Sequence, residues 1–198
     1  MYFYYGTMDC GKTAMAIMKA YEFKSKGRNV VVLKPQIDTR SRGNLLDSRV
    51  GISIECIDIL ENQRIADIVP DKPFTDLLIV DEAQFLTDEQ VRDIKSNVRV
   101  DLAILYGLKN NYLGKLFSGS KSILEVADSI REIPSRCTIC RKKATQNGRF
   151  NDDKLVTEGK EIDIGGNEKY KPLCFDCFEL LKEKSRCENI WLDYKYLW

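Results

Sequence analysis

Histidine is absent from this chain of 198 residues. That removes the usual proton shuttle near neutral pH and the commonest nitrogen ligand for metals. Acid–base work therefore falls to a carboxylate, a lysine, a tyrosine or a thiol. An excess of charge of one sign is missing too. The 31 basic and 30 acidic residues leave a net charge of +1, so no long-range field advertises a nucleic acid or an anionic membrane as partner. A local patch remains open. No apolar run approaches the length that spans a bilayer, and the start carries no charged leader followed by an apolar stretch and a small-residue cleavage site. The expectation is a soluble cytoplasmic protein with no membrane and no nucleic-acid partner. The length suits one sizeable core with a smaller appendage, and is short for two full domains.

Cysteine, in contrast, is plentiful. The seven cysteines are odd in number, and four of them form two C-x-x-C pairs. With no export signal, this pattern speaks for metal rather than a disulfide scaffold.

Short apolar runs alternate with helical patterns through the first two thirds of the chain. "MYFYY" reads as a buried strand, and Ala14, Ile17, Met18 and Tyr21 then recur at helical spacing until Gly27. "NVVVLK" predicts a second strand, "GISIECIDI" a third, and the sequence near Ile65 a helix. "DLLIV" (Asp76 to Val80) is continuously apolar, as suits a strand covered on both faces. Thr87 and Gln90 have the spacing of a capping box, "DLAILY" predicts a further strand, and Lys121 to Ile133 a further helix. Strands alternating with helices imply crossovers and a parallel sheet, so the fold class is α/β. Pro134 marks a change of character. The division expected is an α/β nucleotide-binding domain over 1–134, a small metal-stapled domain over 135–181, and a tail over 182–198 that packs on the core or on a neighbouring subunit.

Gly6 to Thr13, "GTMDCGKT", fits G-x-x-x-x-G-K-[ST] and stands between a predicted strand and a predicted helix. Such a loop, here Gly6, Thr7, Met8, Asp9, Cys10 and Gly11, wraps backbone N–H groups around phosphate oxygens, with the positive end of a helix dipole behind them. The two glycines let the backbone turn and approach closely. Lys12 would reach the β- and γ-phosphates of ATP, and Thr13 would offer its hydroxyl to Mg²⁺. The complementary acid is expected at the end of another buried strand, and "LLIVDEAQF" supplies it. Asp81 suits the Mg²⁺ shell, and Glu82 suits proton transfer or, alternatively, a plain salt bridge. Two enzyme classes share this pattern. In a small-molecule kinase Glu82 takes a proton from a substrate hydroxyl. In a helicase-like motor the second carboxylate orients water, but such motors need two large domains and a charged track. A P-loop ATPase coupled to nucleic acid through a zinc module, and a zinc-stapled regulator that binds nucleotide without turnover, are the alternatives from other classes.

Cys137 and Cys140 in "RCTIC", with Cys174 and Cys177 in "LCFDC", suit tetrahedral Zn²⁺ held by two knuckles. Four thiolates leave no open position, so the role would be structural. Two disulfides are the alternative. Cys10, Cys56 and Cys187 carry no pattern.

The P-loop, "DTR", "DEAQF", "YGLKNNYLGKLFSGS", "LEVADSI", the cysteine pairs and "IGGNEKY", in that order, resemble the type II thymidine kinases from about Gly6 to Cys177. The resemblance implies a P-loop sheet with a zinc-bearing lasso domain. It implies transfer of the γ-phosphate of ATP to the 5′-hydroxyl of thymidine, with Mg²⁺, in nucleotide salvage. It further implies a homotetramer inhibited by thymidine triphosphate. Glu82 matches the family's catalytic base, and Lys12, Thr13 and Asp81 match its phosphate and magnesium positions. Asp38 and Arg40 match charged groups near the reacting phosphates, and Gln84 belongs with the same site. The lasso corresponds to about 162–170, with Ile162, Ile164, Gly165, Gly166 and Tyr170 toward the base. Met8, Phe85, Leu108, Tyr112 and Asn147 match the remaining nucleoside contacts.

Asp9 and Cys10 replace the family's usual phenylalanine and serine, and a carboxylate there should repel phosphates unless it turns outward. Tyr112 replaces a phenylalanine. Asn147 stands where small or apolar residues commonly meet the thymine methyl, so acceptance of deoxyuridine beside thymidine is expected.

Overall fold

The computed structural model describes residues 1–37, 44–159 and 169–195, with side chains through 185. Its chain divides into two compact units. The first comprises 1–6, 11–109 and 116–133, and the second 7–10, 110–115 and 134–198.

The first unit is built on a six-stranded parallel sheet. Its strands are β1 (Tyr2–Tyr5), β2 (Val30–Pro35), β5 (Ile57–Ile59), β6 (Thr75–Val80), β7 (Val100–Gly107) and β8 (Ser129–Glu132), in the order β5-β2-β6-β7-β1-β8. The inner strands are the continuous apolar runs. Leu77, Leu78, Ile79 and Val80 are all fully buried, as both faces of a parallel sheet require. The helices α1 (Lys12–Lys24), α2 (Asp88–Ser96) and α3 (Ser118–Val126) flank the sheet. Gly27 stands in left-handed backbone at φ 71, just past the end of α1, where an L side chain would be strained. At α2 the capping box is present. Thr87 Oγ1 accepts from the Gln90 N–H at 3.2 Å, and the Thr87 N–H donates to Gln90 Oε1 at 3.1 Å. A hairpin of β3 (Leu45–Asp47) and β4 (Ser53–Glu55) forms a separate two-stranded sheet.

Three expectations are corrected. "GISIECIDI" is two strands in different sheets: β4 pairs antiparallel with β3, while β5 joins the edge of the large sheet beside β2. Cys56 separates them by spending its N–H on the Asn44 carbonyl. The helix near Ile65 is a single 3-10 turn, Ile65–Asp67. The helix expected to reach Ile133 ends at Val126, where Ala127 turns extended, and Ser129–Glu132 pair in parallel with Tyr2–Tyr5. An unpaired edge of β1 offers these residues a ladder that a longer helix would forgo.

The second unit has a three-stranded antiparallel sheet, β10-β9-β11, from β9 (Gln146–Asn151), β10 (Lys154–Leu155) and β11 (Tyr170–Leu173). Helix α4 (Phe175–Lys195) follows directly, running through the stretch from 182 set apart on sequence as a tail. Its small core is Cys137, Leu155, Leu173, Cys174 and Phe178. Among the described residues no helix is long and apolar enough to cross a membrane.

Candidate active site

Strand β1 ends at Tyr5 and α1 begins at Lys12, so the glycine-rich loop lies where a strand hands over to a helix N-terminus. Gly11, the N-cap, is left-handed at φ 84, and Asp9 is left-handed at φ 62, a conformation that aspartate tolerates better than most residues. Asp9 is solvent-exposed, so its charge is screened by water, while Lys12 is buried with 7 % of its surface exposed.

Asp81 follows the last residue of β6 and is 1 % exposed. Its Oδ2 accepts from the Thr13 hydroxyl at 2.7 Å, and its Oδ1 is buried without a hydrogen-bond partner. Burial first, and then the charge of Glu82, push the Asp81 carboxyl up to about 7, against the pull of the Thr13 hydroxyl and the Lys12 ammonium. An orphaned buried carboxylate oxygen beside a threonine hydroxyl is a donor set that fits a hard cation such as Mg²⁺.

Glu82 adopts φ 51, ψ 37, an uncommon backbone for a residue with a Cβ. The carboxylate is buried, and its Oε2 accepts from Gln84 Nε2 at 2.5 Å. Gln84 Oε1 in turn accepts the Leu108 N–H at 2.9 Å, so one amide locks Glu82 to the end of β7. Two glycines allow this packing. A Cβ on Gly107 would stand 2.8 Å from Gln84 Oε1, and one on Gly119 would stand 2.5 Å from the Leu86 carbonyl oxygen. Phe85 meets Phe117 edge-on at 5.7 Å between ring centroids. The sequence named Gln84 but not its clamp on Glu82, and it gave Gly107 and Gly119 no role; both fall inside the quoted "YGLKNNYLGKLFSGS".

In the second unit Met8 donates its N–H to Asn147 Oδ1 at 2.7 Å, and Asn147 Nδ2 donates to the Asn110 carbonyl at 3.3 Å. Thr7 Oγ1 and Ser135 Oγ share a hydrogen bond. Tyr112, 3 % exposed, meets Tyr170 edge-on at 6.4 Å and carries the Arg149 guanidinium over its ring at 5.3 Å. Asp38, Arg40, Ile162, Ile164, Gly165 and Gly166 lie outside the described residues.

The sulfurs of Cys137, Cys140, Cys174 and Cys177 all lie within 4.8 Å of one another, with Cys140 and Cys174 at 3.5 Å. Thiolates bound tetrahedrally at about 2.3 Å stand roughly 3.8 Å apart, so the set fits zinc, which would cross-link the two knuckles and leave no position for substrate. Burial pushes the Cys137 thiol up, but the N–H groups of Cys140, Cys174 and Ile139 outweigh it and hold it down at about 6. Cys177 is pushed up to about 12, first by its hydrogen bond with Cys174. Four sulfurs so crowded cannot all lose their protons without mutual repulsion, and a divalent cation relieves that conflict.

Comparison with known proteins agrees with this geometry. The family model described as thymidine kinase matches residues 1–178. The thymidine kinase of Lactococcus lactis is 39 % identical over 179 residues, covering 88 % of this chain and 94 % of the relative. A thymidine kinase of Streptococcus agalactiae is 38 % identical over the same shares, and that of Lactiplantibacillus plantarum is 36 % identical over 178 residues, 88 % and 92 % of the two chains. The glycine-rich loop, the paired carboxylates and the four-cysteine knuckle are thus set in a chain that belongs to the thymidine kinase family.

Proposed function

We propose that the protein transfers the γ-phosphoryl group of ATP to the 5′-hydroxyl of thymidine, giving thymidine monophosphate for nucleotide salvage. One observation carries the reading beyond family membership. A buried Asp81 with an unpartnered Oδ1 sits beside the Thr13 hydroxyl, and the next residue, Glu82, is pinned at Oε2 by the Gln84 amide.

In this reading the backbone N–H groups of the loop from Gly6 to Gly11 and the Lys12 ammonium take the donor phosphates. Asp81 and Thr13 would hold Mg²⁺, which supplies charge neutralisation at the β- and γ-phosphates. The Glu82 carboxylate accepts the proton of the 5′-hydroxyl as that oxygen forms its bond to the γ-phosphorus. The bond to the bridging oxygen breaks, and ADP leaves with the electron pair. Asp38 and Arg40 are assigned to the same centre by resemblance, with the guanidinium facing charge that develops on the equatorial oxygens. Met8, Phe85, Leu108, Tyr112, Asn147 and the stretch 162–170 are assigned to the nucleoside. A homotetramer, inhibition by thymidine triphosphate and a cytoplasmic site of action complete the reading, all on the same resemblance.

The test is ATP consumption with Mg²⁺ and thymidine, deoxyuridine, deoxycytidine or no acceptor, with identification of the product. Thymidine monophosphate formed only when thymidine is present is the expected result. Turnover without an acceptor, or turnover stimulated by DNA or RNA, would assign the site to an ATPase instead.

A further inference from the structure

Resemblance assigns Asn147 to the nucleoside site, but its hydrogen bonds point elsewhere. It is 3 % exposed, and both ends of its amide are engaged by main-chain groups. The Met8 N–H can only donate and the Asn110 carbonyl can only accept, so the pair fixes which end of the amide is oxygen and which is nitrogen. Asn110 Nδ2 continues the chain of bonds to Gln146 Oε1 at 3.2 Å. Gln146 and Asn147 are paired in β9 with Leu173 and Pro172 of β11, immediately before Cys174. A buried run of amides thus leads from the cysteine knuckle to the leading half of the phosphate loop. The Thr7–Ser135 hydroxyl pair grips the same stretch one residue earlier.

We infer that Asn147 is a positioning residue for the phosphate donor, holding the segment from Thr7 to Cys10 in its binding shape before nucleotide arrives. This inference rests on the reading that the loop takes donor phosphates. A phosphate loop without ligand has N–H groups that need partners, and a loop that collapses to satisfy them must reopen for each nucleotide. Asn147 satisfies one such group from outside the loop, at Met8, and leaves the N–H groups nearer the helix start for phosphate. Only an amide offers an acceptor and a donor at these two places. A leucine of similar volume offers neither, and an aspartate would set a charge against the Asn110 carbonyl.

The test is calorimetric titration of the full-length protein with Mg²⁺ and ADP, which needs no turnover and so stands even where thymidine phosphorylation fails. Asn147→Leu should weaken ADP binding about three- to tenfold, the net value of about one hydrogen bond. The KM for ATP should rise in step, with a smaller change in the KM for thymidine. Ser135→Ala should weaken ADP binding in the same direction. The double variant should lose less than the product of the two, because both bonds hold one segment. Unchanged ADP affinity in Asn147→Leu, with only the KM for thymidine altered, would make Asn147 a wall of the nucleoside site and overturn the inference. Should Asn147→Leu fail to fold, Ser135→Ala alone decides: wild-type ADP affinity in that variant would equally overturn it.

Discussion

Glu82 and Gln84 act together, and their variants separate chemistry from positioning. Glu82→Gln removes the proposed proton acceptor but keeps shape, so kcat should fall about 10²- to 10⁴-fold while ADP binding stays near wild type. Retained turnover in that variant would move the base elsewhere. Gly107→Ala tests the clamp from behind. Its Cβ would meet Gln84 Oε1 at 2.8 Å and the Gln84 backbone nitrogen at 3.1 Å. Gln84 must then shift, and Glu82 with it. A loss of about ten- to hundredfold in kcat is expected, with a small change in thermal stability. A kcat equal to wild type would show that the Gln84 amide does not set the position of Glu82. Gly119→Ala should behave differently, since its Cβ would stand 2.5 Å from a backbone oxygen that cannot rotate away. The outcome there is lost stability rather than a kinetic defect.

At the scale of elements, Asp93 of α2 ties the 3-10 turn at Ile65–Asp67 to the helix. Its carboxylate accepts from the Ala66 N–H at 2.8 Å, from Asn97 Nδ2 at 2.7 Å and from Arg64 at 3.2 Å. Burial pushes its pKa up, but these donors outweigh burial and hold it below the usual carboxylate value of 3.8. A group whose folded pKa is depressed contributes stability above its unfolded pKa and loses it as pH falls through the folded value. Asp93→Asn should therefore cost about 1–2 kcal/mol at neutral pH. The gap from wild type should close as the pH falls below about 4, as denaturant melts across pH would show. Which elements the sequence disclosed follows the same physics of burial. β1, β2, β6 and β7 were legible because strands covered on both faces read as unbroken apolar runs. The separate edge strand β5, merged on sequence with β4, and β8, expected as helix, were not, since "IDI" and "SIRE" are short and partly exposed and their pairing is decided by a neighbour far along the chain. The site divides likewise. Thr13, Asp81 and Glu82 belong to spacings with a mechanism, whereas the bond from Met8 to Asn147 joins residues 139 apart that no local pattern connects.

For the whole molecule, the four-cysteine knuckle is the proposed staple of the second unit. The core cluster described for that unit holds five buried apolar side chains, and two of them are the cysteines 137 and 174. So small a core needs a staple. The purified protein should carry about one zinc per chain by metal analysis. Stripping it, or replacing Cys137 and Cys140 by serine, should lower Tm by about 10 °C or more and open the second unit to protease. A metal-free protein of unchanged Tm would leave the knuckle without a structural role. Since Thr7–Cys10 belong to this unit, nucleotide affinity should fall with the metal.

The left-handed backbone at Glu82 has a consequence for how this chain drifts under mutation. A residue with a Cβ held at φ 51, with its carboxylate buried, costs the folded state about 1–3 kcal/mol that glycine in the same place would recover in part. Glu82→Gly should therefore melt at or above the wild-type temperature while turning over nothing, and a lower Tm would show that the Gln84 bond outweighs the strain. Selection for robustness alone would discard this glutamate. With Glu82 as the proposed base, libraries screened only for heat tolerance should be expected to silence the enzyme at this position first.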